Sequence, residues 1–537
     1  MTGLENNAVG NFTLHVDKVI TIRSIAETEK KLKIIIELHM RFNDGSSSEQ
    51  FEVPLQDISK TDWRIFDEKC VYNPEFQTAK VKRILEENVR QQLSKAPHET
   101  EYQVDQCGLY KLDNIPIYCA GQCTILPTSA RGLYKIVLTD KTQCLDIDER
   151  LTETDALEKM IGLICLSADT GRIIISYKLV QFMHQAYIDA GIRPGVCLYL
   201  YGKTGTNKTT YSCLLTQTYN RSTDIQSPTR LNASIAAVVN ILSEVRDDVV
   251  IFDDLFPADS KQTRSKQEET LIEITRYIGD GTVPAKMNGK NVSKGSPKCG
   301  VIFTGEYLIG KGSDAARMLP VEMEKPDSES LKYFQGKPLI VSTFYKYFLE
   351  WYVENYNDIV ALLKGWLTDY RKVNFGVHLR LQETHFFLYT AYLTLMNYCH
   401  YVGYFTRHEA EQLLDTFIDL LNGLINKQNL RVQENVFEQP TVSDYLHYIK
   451  KMYINGSLPY AQDVKNFDKE LHAGVLYKDC LCIRGKWLSE TFSVNAAEIA
   501  KDLYAKSALL SGKDTYAKQI SKLKGKRFYF IPLDKLK

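Results

Sequence analysis

Between Gly202 and Thr210 the chain reads Gly-Lys-Thr-Gly-Thr-Asn-Lys-Thr-Thr. Residues of these types at this spacing can bind phosphate. Backbone N–H groups curl round the anionic oxygens, Lys208 reaches the β and γ oxygens, and the Thr209 hydroxyl completes a magnesium shell. The spacing fits G-x-x-x-x-G-K-[ST] with Asn207 where the second glycine belongs. Asparagine is the non-glycine residue that best tolerates positive φ, so the turn remains possible. The candidate phosphate contacts are Gly202, Lys203, Thr204, Gly205, Thr206, Asn207, Lys208, Thr209 and Thr210.

Other residues extend this chemistry. The run Asp247-Asp-Val-Val-Ile-Phe-Asp-Asp254 reads as a buried strand ending in two acids, expected beside the loop strand. Asp253 would hold magnesium with Thr209, and Asp254 would orient or deprotonate the attacking water. A third strand, Cys299-Gly-Val-Ile-Phe-Thr304-Gly-Glu306, would place Thr304 between the other two strand ends, in reach of the γ-phosphate. Arg317 precedes a further apolar strand. Exposed at a subunit edge it would reach a neighbour's γ-phosphate; a surface ion pair is the competing reading. Arg380, opening the helix Leu379 to Cys399, is a candidate for a second arginine facing nucleotide.

Two basic groups point to DNA. Lys286 and Lys290 flank the hairpin signal Asn288-Gly289 and would contact a nucleic-acid backbone, or be ordinary surface lysines. Lys522, Lys524, Lys526 and Arg527 belong to a locally basic end. There a phosphate-contacting role competes with a protein-binding one.

The elements that position these residues fall into four regions. Residues 1–150 alternate in the manner of strands and hairpins, with one helical stripe at Val81, Ile84, Leu85, Val89 and Leu93, and form a mixed, mainly β accessory region. Residues 151–326 carry the loop on an α/β core: helices closed by Gly191 and Pro194, an apolar strand from Val196 to Tyr201, then a helix over Tyr211 to Thr216. Residues 327–435 are helical, and their aromatic stripe (Phe344, Phe348, Trp351, Tyr352) reads as core. Residues 436–537 end in a helix over Ala496 to Leu510, a turn, a helix over Thr515 to Leu523 and a strand from Arg527, an order that suits a winged helix. The fold class is multidomain α/β.

Lys+Arg and Asp+Glu both number 66 in 537 residues, so any polyanion site must be local. Cys107, Cys119, Cys123 and Cys144 alone resemble a metal set, but lack a second close pair and read as buried thiols. No apolar run approaches a membrane span, and with no signal peptide after Met1 a reduced cytoplasmic setting is expected.

Taken in order, Gly202 to Thr209, Val249 to Asp254, Val301 to Glu306 and Arg317 resemble an AAA+ ATPase. The runs Asp105-Gln-Cys-Gly-Leu-Tyr110 and Thr304-Gly-Glu306 are similar to a bacterial family that includes the MCM-like replicative helicases of mobile genetic elements. The resemblance implies a homo-hexameric ring with ATP and Mg2+ between subunits. Lys208, Thr209, Asp253, Asp254 and Thr304 would act from one side and Arg317 from the next, with the Asn288-Gly289 hairpin gripping single-stranded or forked DNA in the pore. Asn207 for glycine and Asp254 for the family's usual glutamate are the departures. Two other expectations stay open: a remodelling or defence-linked ATPase, and a nucleotide-gated DNA-binding switch with little turnover.

Overall fold

The structure, a computed structural model, describes residues 9–25, 32–139, 143–219, 228–231, 233–255, 261–284, 286–288, 291–293, 296–309, 312–373, 375–437, 445–492, 496–510, 515–523 and 527–536. Two units divide between Leu430 and Arg431.

In the first unit, β1 (Phe12–Ser24), β2 (Leu32–Phe42) and β3 (Phe51–Pro54) form an antiparallel ladder. α1 (Thr78–Leu93) lays Val81, Leu85 and Val89 on its buried face, against Phe12, Leu14, Ile36 and Trp63. β4 (His98–Val104) joins parallel to β1. A separate meander follows, β5 (Gly108–Leu112), β6 (Ile115–Ala120) and β7 (Cys123–Ile125), before β8 (Lys135–Leu138) returns beside β4.

α2 (Glu153–Cys165) opens on a capping box between Thr152 and Asp155. α3 (Ala168–Phe182) is buried nearly all round. α4 (His184–Ala190) stops at Gly191, which takes the left-handed conformation at φ 92°. The core sheet then builds from β9 (Cys197–Tyr201), α5 (Lys208–Thr216), β10 (Thr229–Arg230), α6 (Ile235–Glu244) and β11 (Arg246–Leu255). α7 (Lys261–Asp280) leads to the antiparallel pair β12 (Lys286–Asn288) and β13 (Asn291–Ser293). β14 (Lys298–Gly305), α8 (Gly312–Ala315) and β15 (Met318–Glu322) complete it.

The sheet order is β10-β11-β14-β9-β15, with every pair parallel. The expectation that β11 lies beside the loop strand is therefore corrected: β14 separates them. After α5 the chain crosses to the far edge and works inward, leaving a gap that the third strand fills. Adjacency is set by that crossover, which the composition of β11 does not encode. β11 also carries one extra residue at each end: Arg246 to Val249 spans Lys298 to Gly300, and Phe252 to Leu255 spans Phe303 to Gly305. These bulges fall on Asp247-Asp248 and Asp253-Asp254, and a bulge re-aims side chains.

The helical segment comprises α9 (Ser328–Gln335), α10 (Leu339–Glu354), α11 (Tyr356–Tyr370), α12 (Leu379–Tyr401) and α13 (Arg407–Phe437). Its aromatics pack inward, as in the edge-to-face pairs of Phe348 with Tyr398 and of Phe182 with Tyr345.

The second unit contains α14 (Tyr445–Ile454), β16 (Tyr460–Ala461), β17 (Gly474–Tyr477), β18 (Cys480–Arg484), α15 (Gly485–Phe492), α16 (Ala496–Ala505), β19 (Lys518–Gln519) and β20 (Arg527–Pro532). The strands form one sheet in the order β16-β17-β18-β20-β19. Two expectations are corrected here. The helix from Ala496 stops at Ala505, and Thr515 to Leu523 is not a helix but holds β19, antiparallel to β20. Ile520 and Leu523 pack with Phe528 and Phe530 on the sheet, so burial against a strand overrides the helical spacing.

Candidate phosphate site and arginine cluster

β9 delivers the chain to the loop, and Gly202 N donates to Gly305 O at 3.1 Å, pinning the loop entrance to β14. Asn207 adopts φ 58° and ψ 27°, the left-handed geometry a glycine would take, and α5 starts immediately after it. Lys208 is buried. Its ammonium donates to Gly202 O (2.8 Å), Lys203 O (3.0 Å) and Thr206 Oγ1 (3.2 Å), so the loop wraps its own cation. Burial lowers the Lys208 pKa, opposed by the negative charges of Glu306 and Asp253. Lys203, Thr204 and Gly205 are exposed, and Thr206 and Thr210 half-buried.

The acids and hydroxyls converge from three elements. Thr209 Oγ1 donates to Asp253 Oδ1 at 2.6 Å and lies 3.3 Å from Thr304 Oγ1. Thr304 Oγ1 also donates to Asp253 Oδ1. This hard-oxygen set suits magnesium: Thr209 and Asp253 would hold the ion, and Lys208 would meet the phosphates. Asp254 lies on β11, but its side chain is outside the described residues.

Glu306 belongs to the same mouth. Gly305 leaves no room for a side chain, since a Cβ there would come within 2.9 Å of Leu255 Cβ. The next residue, Glu306, accepts a hydrogen bond from Thr204 Oγ1 of the loop. The triplet Thr304-Gly-Glu306 carried that signal, but only the strand order places Glu306 opposite Thr204.

Arg317 sits at the other end of the sheet. β15 runs parallel to β9 with Met318 opposite Cys197 and Glu322 opposite Tyr201, so about 16 Å of strand separates Arg317 from the loop mouth. It is not exposed as expected. Its side chain is 11% exposed and donates to Asp280 Oδ1 at 2.7 Å and to Ser313 O at 2.9 Å. Arg380 reaches the same Asp280 oxygen at 3.2 Å. Arg276 grips Asp314 with two bonds of 2.9 Å, and Gln428 donates to Ala315 O (2.6 Å) and Met318 O (3.1 Å). The segment before β15 is thus held from α7 and α13, and Arg380 of α12 joins it through Asp280. Asp280 and Gln428 escaped the sequence reading because each acts on a partner tens of residues away.

The proposed DNA contacts are less complete. β12 and β13 pair as the hairpin signal requires, but Lys290 lies outside the described residues, as does the Lys286 side chain. Lys522 and Arg527 are exposed near the β19–β20 hairpin, and Lys524 and Lys526 lie outside the described residues. Cys107 and Cys119 are buried, and Cys123 and Cys144 half-buried. Among the described residues no group of three or more His, Cys, Asp or Glu could hold a metal.

No family model matches the chain, and no curated protein matches it in sequence. Solved structures resemble it at low identity, and three of them serve as examples. One is described as an SCCmec type IV Cch active helicase, with TM-score 0.49 and 12% identity over 97% of this chain and 93% of that one. The apo NrS-1 C-terminal region has TM-score 0.29 and 11% identity over 96% of each chain. A JCV helicase bound to a thiazolopyridine acetamide has TM-score 0.22 and 14% identity over 44% of this chain and 72% of that one. With TM-scores below 0.5, these likenesses leave the reading of the site to its own geometry.

Proposed function

We propose that the chain is an AAA+ ATPase that works as an ATP-driven DNA helicase or translocase, assembled as a hexameric ring, in replication of a mobile genetic element. One observation carries this reading. Lys208, Thr209, Asp253 and Thr304 meet at the carboxyl ends of three neighbouring parallel strands, while Arg317 lies at the opposite end of the same sheet. An arginine so placed cannot serve its own loop, so it would act on the loop of the next subunit, which a closed ring supplies.

In this mechanism Lys208 leaves the loop carbonyls for the β and γ oxygens of ATP. Magnesium, when bound by Thr209 and Asp253, would draw charge from the phosphates. Thr304 orients the attacking water or the γ-phosphate, and Asp254 takes the water's proton. Arg317 of the neighbouring subunit stabilises charge on the transferring group. The β12–β13 hairpin grips one DNA strand, and the terminal unit, read as a winged helix, loads the duplex. Asn207, holding the glycine-like turn, supports turnover over a silent switch.

The test is strand displacement. Purified protein with ATP unwinds a forked duplex, and Lys208→Ala, lacking the phosphate contact, loses on the order of 100-fold or more in rate. ATP hydrolysis indifferent to single-stranded DNA, with no unwinding, would replace the helicase by a remodelling or defence-linked ATPase. Tight ATP binding without phosphate release would select the nucleotide-gated switch.

A further inference from the structure

The tripeptide Gly279-Asp280-Gly281 closes α7 five residues before the β12–β13 hairpin, and three arginines close on it. Arg317 lies against Gly279, where a Cβ would come within 2.6 Å of Arg317 Cδ. Arg193 lies against Gly281, which has φ +70° and where a Cβ would come within 2.5 Å of Arg193 Cζ. Arg193 also donates to Ile278 O at 3.0 Å, fixing the end of α7. Between the glycines, a single oxygen of Asp280 receives Arg317 at 2.7 Å and Arg380 at 3.2 Å. Arg193 Nε and Arg380 Nη1 are buried and have no hydrogen-bond partner among the described residues. Arg193 bonds to backbone carbonyls and Arg317 also lies 3.8 Å from Asp314, so Asp280 is the carboxylate that Arg317 and Arg380 share, and the two unpartnered guanidinium nitrogens are ones an anion would satisfy.

We propose that Asp280 is a positioning residue for trans-acting chemistry: it aims Arg317 and Arg380 together at the γ-phosphate held by the adjacent subunit. This rests on the ATPase reading above. Without the carboxylate, two like-charged guanidinium groups that share one anchor repel and spread. The glycines on either side are what let arginine stems lie on the α7 backbone. The carboxylate itself is 42% exposed, so the face it organises is open to a partner subunit.

The experiment uses full-length protein. Asp280→Asn lowers kcat on the order of 10- to 100-fold, the usual loss when reacting groups are displaced by about an ångström. KM for ATP stays within about 2-fold, because the subunit's own loop is intact. Asp280→Glu, which keeps the charge, recovers part of the rate. The deciding arm co-expresses Asp280→Asn and Lys208→Ala at equal levels. Each alone is nearly inactive, but about a quarter of the interfaces in a mixed ring join an intact loop to an intact arginine pair, so about a quarter of wild-type activity returns. A wild-type rate in Asp280→Asn, or a loss that mixing does not relieve, overturns the proposal. A wild type without ATPase activity strikes at the functional reading itself, which the same assay separates from a failure confined to Asp280.

Discussion

Lys178 has no solvent exposure on α3, and its ammonium pairs with Asp248 at the amino end of β11, over the Phe182 ring at 4.4 Å. Asp248 Oδ1 also accepts Val249 N at 2.5 Å. Next to it Asp247, at φ 51°, accepts Leu109 N at 2.7 Å, and Arg246 stacks on Tyr110 at 4.2 Å, so Arg246 and Asp247 dock the β5–β7 meander on the core. Removing one partner of a buried pair strands the other charge. Lys178→Met is expected to lower core stability by about 3–5 kcal/mol, while Lys178→Met with Asp248→Leu recovers most of it. Urea midpoints of the three proteins decide this; a single variant as stable as wild type would mean Asp248 is not buried with its charge. The sequence made Asp253, Thr304 and Lys208 legible because each is a short-range signal beside a strand end. It hid the bond of Asp247 to Leu109, 138 residues away, and that of Asp248 to Lys178, 70 residues away, and Gly108 of the Asp105–Tyr110 run looked like a motif residue. Its role is spatial: a Cβ there would come within 2.8 Å of Asp247 Oδ2.

Elements were legible where one periodicity dominated. The stripe of α1, the strand–loop–helix of β9 and α5, and the hairpin after α7 all form as their patterns require. Two elements escaped, the place of β11 in the sheet and the strand β19, because each depends on what packs beside it. The helical segment has a property of the same tertiary origin. His385 on α12 is held by Tyr370 of α11 through a hydrogen bond to Nδ1, and burial lowers its pKa from 6.5 to about 4. The unfolded chain takes up that proton first. The stabilisation is therefore complete above pH 6.5 and is lost as pH falls toward 4, by about 3 kcal/mol. His385→Gln should flatten the loss: its thermal midpoint falls less than that of wild type between pH 7 and 4. Parallel midpoints would show that another group dominates acid sensitivity.

At the scale of the whole molecule, equal numbers of acids and bases remove any general attraction to DNA. The proposed affinity must therefore come from particular elements, and the second unit offers two candidates. The outward face of α16 carries Glu498, Lys501 and Tyr504, and Asp502 pairs with Lys506 at 3.1 Å, so that helix presents no net positive stripe. The β19–β20 hairpin does better, with Lys522 and Arg527 exposed and Lys518 beside the Phe530 ring. The chain contains eight basic residues from Lys513 onward against two acids, which places the charge on this hairpin and its flanks rather than on the helix. Each phosphate neutralised releases counterions and adds about 0.9 to the slope of log affinity against log salt. Ending the chain at residue 430 is therefore expected to flatten that slope by about 2 to 4 for duplex DNA, while the proposed ATP hydrolysis, whose candidate residues all lie in the first unit, continues. The measurement is a salt titration of duplex binding for the full and shortened chains. An unchanged slope would assign the second unit to a protein partner, because a surface that releases no counterions on binding does not meet the DNA backbone.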